Sequence, residues 1–365
     1  MSRSDVARAR LTELDWIRGG AALAVVAFHY LYKGPSQGWM HSPRIPVVAD
    51  IAQYGYLGVH LFFMISGYVI LMTAQNTDVR RFLAARVARL VPAMWVCVLL
   101  TASIEWLVPQ SPFRPEGWGQ ILANLTLLPQ AFGQSAIDGS YWSLAVELTF
   151  YGWVGLLVMG KQMHRIETFM GLWLAISLAN AVRPMYPLQL YLAAQWASLF
   201  IGGAMFFLVR QSGWTPRRCL TVVLSLILSC VYAWRGAGPL EQWSDLMAVD
   251  QGLNHLIVLA FIVAFFAVFL WLIRRPEGLA PTAGSDLAGR LTYPLYLIHQ
   301  NVGYALFNLA MVTGWLNAWT APAFIAGLLL LMLCVSWAIH QWVERPMSGW
   351  LFRMIDGRPK IQKPG

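Results

Sequence analysis

The sequence predicts an all-α fold: a polytopic membrane protein of about ten transmembrane helices, with both termini cytoplasmic. Three observations predict it. Only 12% of the 365 residues are charged and 58% are hydrophobic, where a soluble domain carries roughly 25% charged residues. Mean hydropathy is +0.55. Lys and Arg fall unevenly between alternate loops, as the positive-inside bias requires. The 18 Trp and 13 Tyr suit two interfaces, where amphipathic rings settle between hydrocarbon and water.

A helical span needs roughly 20 residues. Apolar segments of about that length fall at 14–32, 55–74, 91–108, 142–160, 168–182, 188–209, 220–234, 252–273, 293–313 and 321–343. The fifth and seventh are short. Between the third and fourth, the stretch 119–132 is moderately apolar and reads as re-entrant or interfacial. With the N-terminus inside, inner segments hold twenty of the 26 Lys and Arg, including the inner loop RRFLAARVAR (80–89). Outer segments hold five: Lys33, Arg44, Arg114, Arg183 and Arg235; Arg18 lies within the first span. An added or missing helix would scramble this asymmetry. No repeat or low-complexity tract divides the chain. The reading is one membrane-embedded domain over 1–365, with its core at about 11–346 and a short basic tail at 347–365.

The net charge of +9 does not point to nucleic acid. The basic residues sit between apolar segments and form no basic run interleaved with aromatics on a soluble domain. Cys97, Cys219, Cys230 and Cys334 make no CxxC pair, so neither a disulfide framework nor a zinc site is implied, and no metal is expected. No small-residue cleavage site follows the first apolar run, which argues against a signal peptide.

Ionisable residues inside hydrocarbon are expensive and point to function. Arg18 and His29 share the first span. Eleven steps of 100° bring them to one helix face, about 16 Å apart along the axis. Arg18 also suits a snorkelling positive-inside residue, and His29 an interfacial histidine bonded to a neighbour. Asp15, three residues before Arg18, is placed to pair with it. Glu147, in YWSLAVELTFY (141–151), falls at the expected depth of His29, as does His60 in YLGVHLFFMISGYVI (56–70). A carboxylate near a histidine is the arrangement that orients a general base, so Glu147 is expected to hold the His29 imidazole. Arg86 and Arg89 share a helix face and suit phosphate. His299, in LTYPLYLIHQN (291–301), falls near mid-membrane and also suits a polar bridge between helices. Ser66-Gly67 suits close helix approach. Glu344 in WVERP is expected to pair locally with Arg345 before the chain turns at Pro346.

These stretches, in this order, resemble the acyltransferase-3 family of bacterial integral-membrane acyltransferases. LDWIRGGAALAVVAFHY, GVHLFFMISGYVI, RFLAARVARLVP, YWSLAVELTFY, LTYPLYLIH and VERP are similar to its successive landmarks. The resemblance implies O-acyl transfer, most often of acetyl from acyl-CoA, to a carbohydrate or lipid-linked glycan acceptor in the bacterial inner membrane. Acyl-CoA is then a co-substrate, and no permanently bound cofactor is expected. Position by position, it implies His29 as the essential histidine and Arg18 as its partner arginine. It further implies Arg86 and Arg89 at the donor, and Glu147 as the acid of the fourth span. Tyr141, Trp142, Ser143, His60 and His299 are candidates for substrate contact. Two departures stand out: His60 replaces a commoner Asp, and Trp16 a commoner Gly. A proton-coupled transporter or flippase is the alternative class, weakened by the absence of an inverted repeat.

Overall fold

The computed structural model describes residues 12–40, 46–109, 111–247, 253–275, 279–317 and 319–357. It is 83% helix, with no strand among the described residues. Helices satisfy every backbone donor and acceptor internally, which hydrocarbon demands. Each of the ten segments expected to be spans is largely helical; the eighth is helical from His255, and its expected start at 252 lies outside the described residues. The long helices are α1 (Thr12–Phe28), α2 (Leu57–Ala74) and α3 (Val79–Leu107), then the short α4 (Trp118–Leu125) and α5 (Trp142–Met159). They continue as α6 (Ile166–Val182), α7 (Tyr186–Leu192), α8 (Ala197–Ser212), α9 (Pro216–Met247) and α10 (His255–Ile273). The chain closes with α11 (Ala283–Val312), α12 (Ala321–Ile339) and α13 (Arg345–Asp356). Among the described residues, seven helical segments are long and apolar enough to cross a membrane.

Helix α11 is the axis of the bundle. Every residue from Leu291 to Ala305 is buried, and α11 packs most closely on α1 and α3. A helix buried on all sides has no polar face to reveal its ends. Its start therefore lies ten residues before the expected 293, at a capping box in which Thr282 and Ser285 bond reciprocally.

Four expected boundaries change. The arginine-rich stretch 80–89 is not a loop but the opening of α3, where the Arg81 amide donates to the Asp78 carboxylate at 3.0 Å. The sixth segment breaks at Ala193, which adopts left-handed φ +45°, into α7 and α8. Pro346 does not end the chain's last helix. It comes just after the π-turn His340–Glu344, across which Glu344 and Arg345 keep right-handed helical conformation, and the helix runs on to Asp356. Residues 347–356, expected in the tail, are therefore helical, with Ser348 Oγ donating to the Ala88 carbonyl of α3 at 2.6 Å.

The stretch 119–132, read as re-entrant or interfacial, holds the short helix α4, which packs on α3. Trp118 at the start of α4 meets Trp106, and Leu125 at its end accepts from Trp95 Nε1 at 2.9 Å. Trp95 and Trp106 are eleven residues apart on α3, so α4, about 12 Å long, runs back along α3 antiparallel to it. Its return limb is held by polar side chains. Asn124 donates to the Gln120 and Ser135 carbonyls and accepts from the Ile137 amide. Gln120 donates to Ser135 Oγ. Irregular backbone at this depth needs such partners.

Small residues set two close helix approaches. A Cβ on Gly67 of α2 would strike the Phe200 carbonyl of α8, and one on Gly203 of α8 would strike the Met64 carbonyl of α2. Gly203→Ala is therefore expected to lower stability by about 1–3 kcal/mol through overpacking, read as a lower unfolding temperature in detergent. Asn124→Leu is expected to cost roughly 2–3 kcal/mol, because it strands the Ile137 amide in the return limb; an unchanged melting temperature would refute that account.

Candidate active site

Two cavities meet inside the bundle. The first, of about 310 Å³, is lined by Arg18, Ser66, Arg86, Arg89, Glu147 and Tyr151 among others. It is called here the arginine chamber. The second, of about 320 Å³, is lined by His29, Lys33, Tyr56, His60, Trp142 and Trp196 among others; it is the histidine chamber. Val59 and Tyr296 line both, so these two side chains form the partition. Tyr296 is held there by its phenol, which bonds Ser143 Oγ at 2.7 Å and donates to the Ser140 carbonyl at 3.1 Å.

His29 sits where α1 gives way to a π-turn, His29–Lys33, closed by the Gly34 amide on the His29 carbonyl. Such turns insert one extra residue and frequently mark functional sites. His29 Nδ1 lies 2.8 Å from the Val25 carbonyl and 3.1 Å from Nε2 of His299. On the far side, His299 Nδ1 faces the carbonyls of Tyr296 at 2.9 Å and Leu295 at 3.2 Å. Carbonyls only accept, so in a neutral pair Nδ1 of His299 carries the proton and its Nε2 a lone pair. Nδ1 of His29 must then donate, shared between Val25 and His299. The hydrogen-bond network thus assigns the lone pair of His29 to Nε2. No hydrogen bond within the described residues engages that nitrogen.

The arginine chamber has one carboxylate. Glu147 accepts from Ser66 Oγ and from the Tyr151 phenol, each at 2.5 Å. Arg86 stacks on the Tyr151 ring at 5.5 Å, and Arg89 on the Tyr293 ring at 5.4 Å. Arg89 also pairs with Glu344 at 3.0 Å, and Glu344 in turn bonds His340 Nδ1 at 2.8 Å. Arg18 and Asp15 are 3.9 Å apart.

Several sequence expectations find different neighbours. Glu147 does not orient His29; its partners are Ser66 and Tyr151, and His299 takes the orienting position. His299 is fully buried and lines neither chamber, so it reaches substrate only through His29. Tyr141 is buried and lines neither chamber. Trp142 lines the histidine chamber and Ser143 the arginine chamber. His60 lines the histidine chamber, edge-on to Tyr56 and Trp196. Glu344 pairs with Arg89 across the bundle and not with Arg345. Arg18, Arg86, Arg89 and Glu147 do converge, in one chamber.

The sequence reading passed over Lys33, Tyr296 and Asp138. Lys33 follows His29 by four residues, the spacing of neighbours on one helix face. Asp138 lies in the loop before α5 and accepts from the Ser140 amide at 2.8 Å, a helix-start signature visible in DGS. Its other oxygen accepts from the Asn301 amide at 2.9 Å, tying α5 to α11. Burial pushes the Asp138 carboxyl above its usual range, opposed by these hydrogen bonds. Tyr296 carried no signal beyond its place in an apolar run.

The family model of the acyltransferase-3 group, described as an acyltransferase domain, matches residues 11–341. The acyltransferase MdmB of Streptomyces mycarofaciens is 25% identical, over 92% of this chain and 91% of its own length. The O-acetyl transferase of Shigella phage Sf6 is 25% identical, over 60% of this chain and 68% of its own. The putative peptidoglycan O-acetyltransferase YrhL of Bacillus subtilis is 30% identical over 40% of this chain, which is 24% of YrhL. No solved structure matches the chain. With a family match that runs through both chambers, the chain belongs to the acyltransferase-3 family and is a multi-pass membrane O-acyltransferase.

Proposed function

We propose that this enzyme moves an acetyl group from acetyl-CoA to a hydroxyl of a carbohydrate or lipid-linked glycan, in the bacterial inner membrane, with His29 as general base. The observation that carries the reading is the free Nε2 lone pair of His29, enforced by His299 and open to the histidine chamber. Relatives named as acetyltransferases of peptidoglycan and a relative named as an exopolysaccharide production protein support a glycan acceptor.

The donor lies along the arginine chamber, its phosphates toward Arg86 and Arg89 and with Arg18 further along the path. Its acyl end passes the partition of Val59 and Tyr296. The acceptor hydroxyl occupies the histidine chamber, beside Trp142 and His60. His29 Nε2 takes the hydroxyl proton as oxygen attacks the thioester carbonyl. The tetrahedral intermediate collapses, the C–S bond breaks, and the imidazolium returns its proton to the departing thiolate. Lys33, on the wall of the same chamber, offers the oxyanion a positive charge. Glu147 offsets part of the charge of three arginines and keeps Ser66 and Tyr151 in place.

The test is thiol release from acetyl-CoA by purified protein given glycan acceptors. His29→Ala is expected to lower kcat by about 10²–10⁴-fold, the range of a general base; undiminished release would sink the assignment. His299→Phe removes the orienting acceptor and is expected to lower kcat roughly tenfold or more at unchanged KM, with partial rescue in His299→Gln. A purely structural role for His299 predicts no rescue. Val59→Phe narrows the partition and is expected to block transfer while donor binding, followed by calorimetry, persists.

A further inference from the structure

A third cavity opens beneath the arginine chamber. It holds about 600 Å³ and shares Ala85 and Arg89 with that chamber. Its remaining wall comes from α11 and from the helix that follows the second π-turn, His340–Glu344. Arg290, Arg345, Ser348, Gly349 and Phe352 line it. Of these residues only Arg345, in the VERP stretch, belongs to a sequence motif, and the donor reading uses none of them.

Its charge is lopsided. Glu344 is engaged twice, by Arg89 and His340. Arg290 pairs with Asp286 at 2.9 Å, on an exposed edge. Arg345 lines the cavity, is exposed and makes no hydrogen bond or ion pair among the described residues. Phe352 adds an aromatic wall, and the Ser348 and Gly349 pair keeps one side low. A cavity with a free arginine, a second arginine and an aromatic face suits a phosphorylated purine nucleotide.

The order of the three cavities adds the second argument. A wide polar vestibule leads to a narrower chamber lined by arginines. That chamber leads past a two-residue partition to the base. Along α11 the rise from Arg290 to His299 is about 14 Å. This sequence of spaces fits an extended ligand with a bulky anionic head, a thin arm and a reactive tip.

We propose that the vestibule formed by α13 and α11 is the subsite for the 3′-phosphorylated adenosine of the acyl donor, with Arg345 and Arg290 on its phosphate and Phe352 against the base. It rests on the acyl-CoA reading above and extends it. The donor's head then sits in the vestibule, and Arg86 and Arg89 receive its pyrophosphate at the junction. Helix α13, outside the segments expected to span, becomes part of donor recognition.

The experiment uses the full chain in detergent and two probes. Adenosine 3′,5′-bisphosphate carries the head and no thioester; acetyl-pantetheine carries the thioester and no head. The bisphosphate is expected to bind wild-type protein in competition with acetyl-CoA. Binding is expected to weaken at least about tenfold in Arg345→Gln, the loss of a charge-assisted hydrogen bond, and further in Arg290→Gln/Arg345→Gln. Arg345→Lys is expected to restore part of it. The variants are expected to lower kcat/KM for acetyl-CoA far more than for acetyl-pantetheine. Equal bisphosphate affinity in wild type and variants, or equal losses with both donors, would overturn the proposal. Turnover of acetyl-CoA without bisphosphate binding would overturn it too, while leaving the transferase reading intact. Bisphosphate binding that the variants abolish, with no thiol release from either donor, would uphold the subsite and sink the transferase reading.

Discussion

The hydrogen bond between His299 and His29 governs the chemistry available to this fold. His299 spends its one proton on backbone carbonyls of its own helix, so its other nitrogen can only accept. That obliges His29 to turn its proton inward and its lone pair outward. The arrangement works only if neither ring rotates. Rotation is prevented by burial, since every residue of α11 from Leu291 to Ala305 is buried and His299 has no accessible surface. The packing of α1 on α11 thus sets a protonation pattern as well as a position. Tyr30 reinforces the same contact, its phenol donating to the His299 carbonyl at 2.7 Å.

The arginines and Glu147 are kept apart from this pair by the partition, while Lys33 shares the chamber of His29. The three arginines and Glu147 lie on one side of Val59 and Tyr296, the histidines and Lys33 on the other. Arg18 and His29 share a helix yet open into different chambers, as a separation of about 16 Å along the axis allows. Arg86 and Arg89 of α3 each rest on a tyrosine ring. That contact holds the Arg86 guanidinium without neutralising it, whereas Arg89 also pairs with Glu344. Glu344 reaches Arg89 from the far end of the chain and closes the wall between the arginine chamber and the vestibule.

Much of this was legible beforehand, for physical reasons. The all-helical fold and the long apolar helices followed from the length of apolar runs, and the short α4 from its intermediate polarity. Arg18, Arg86 and Arg89 were expected along one donor path, but Glu147 was expected beside His29 and instead joins the arginines. What escaped reading depends on tertiary neighbours. Depth alone placed Glu147 and His29 in one layer, but not on facing sides of different cavities. The rotation of α11 that aims His299 at His29 is set by packing, and an all-buried helix carries no amphipathic pattern to announce it. The opening of α3 looked like a loop because its arginines drowned the signal of the Asp78 cap. The left-handed break at Ala193 has neither glycine nor proline to mark it.

The two π-turns have a consequence for how this chain tolerates change. Each holds one residue more than an α-helical turn, at His29–Lys33 and at His340–Glu344. Deleting any one residue within either would let the segment relax to an ordinary helix. Everything beyond would then rotate by about 100° relative to what precedes. In α1 this would carry Lys33 off the wall it shares with His29. After α12 it would swing α13 away from the vestibule. Substitutions at these turns alter one side chain, but a single-codon deletion would re-aim a whole helix. The length of each turn is therefore held more tightly than its composition.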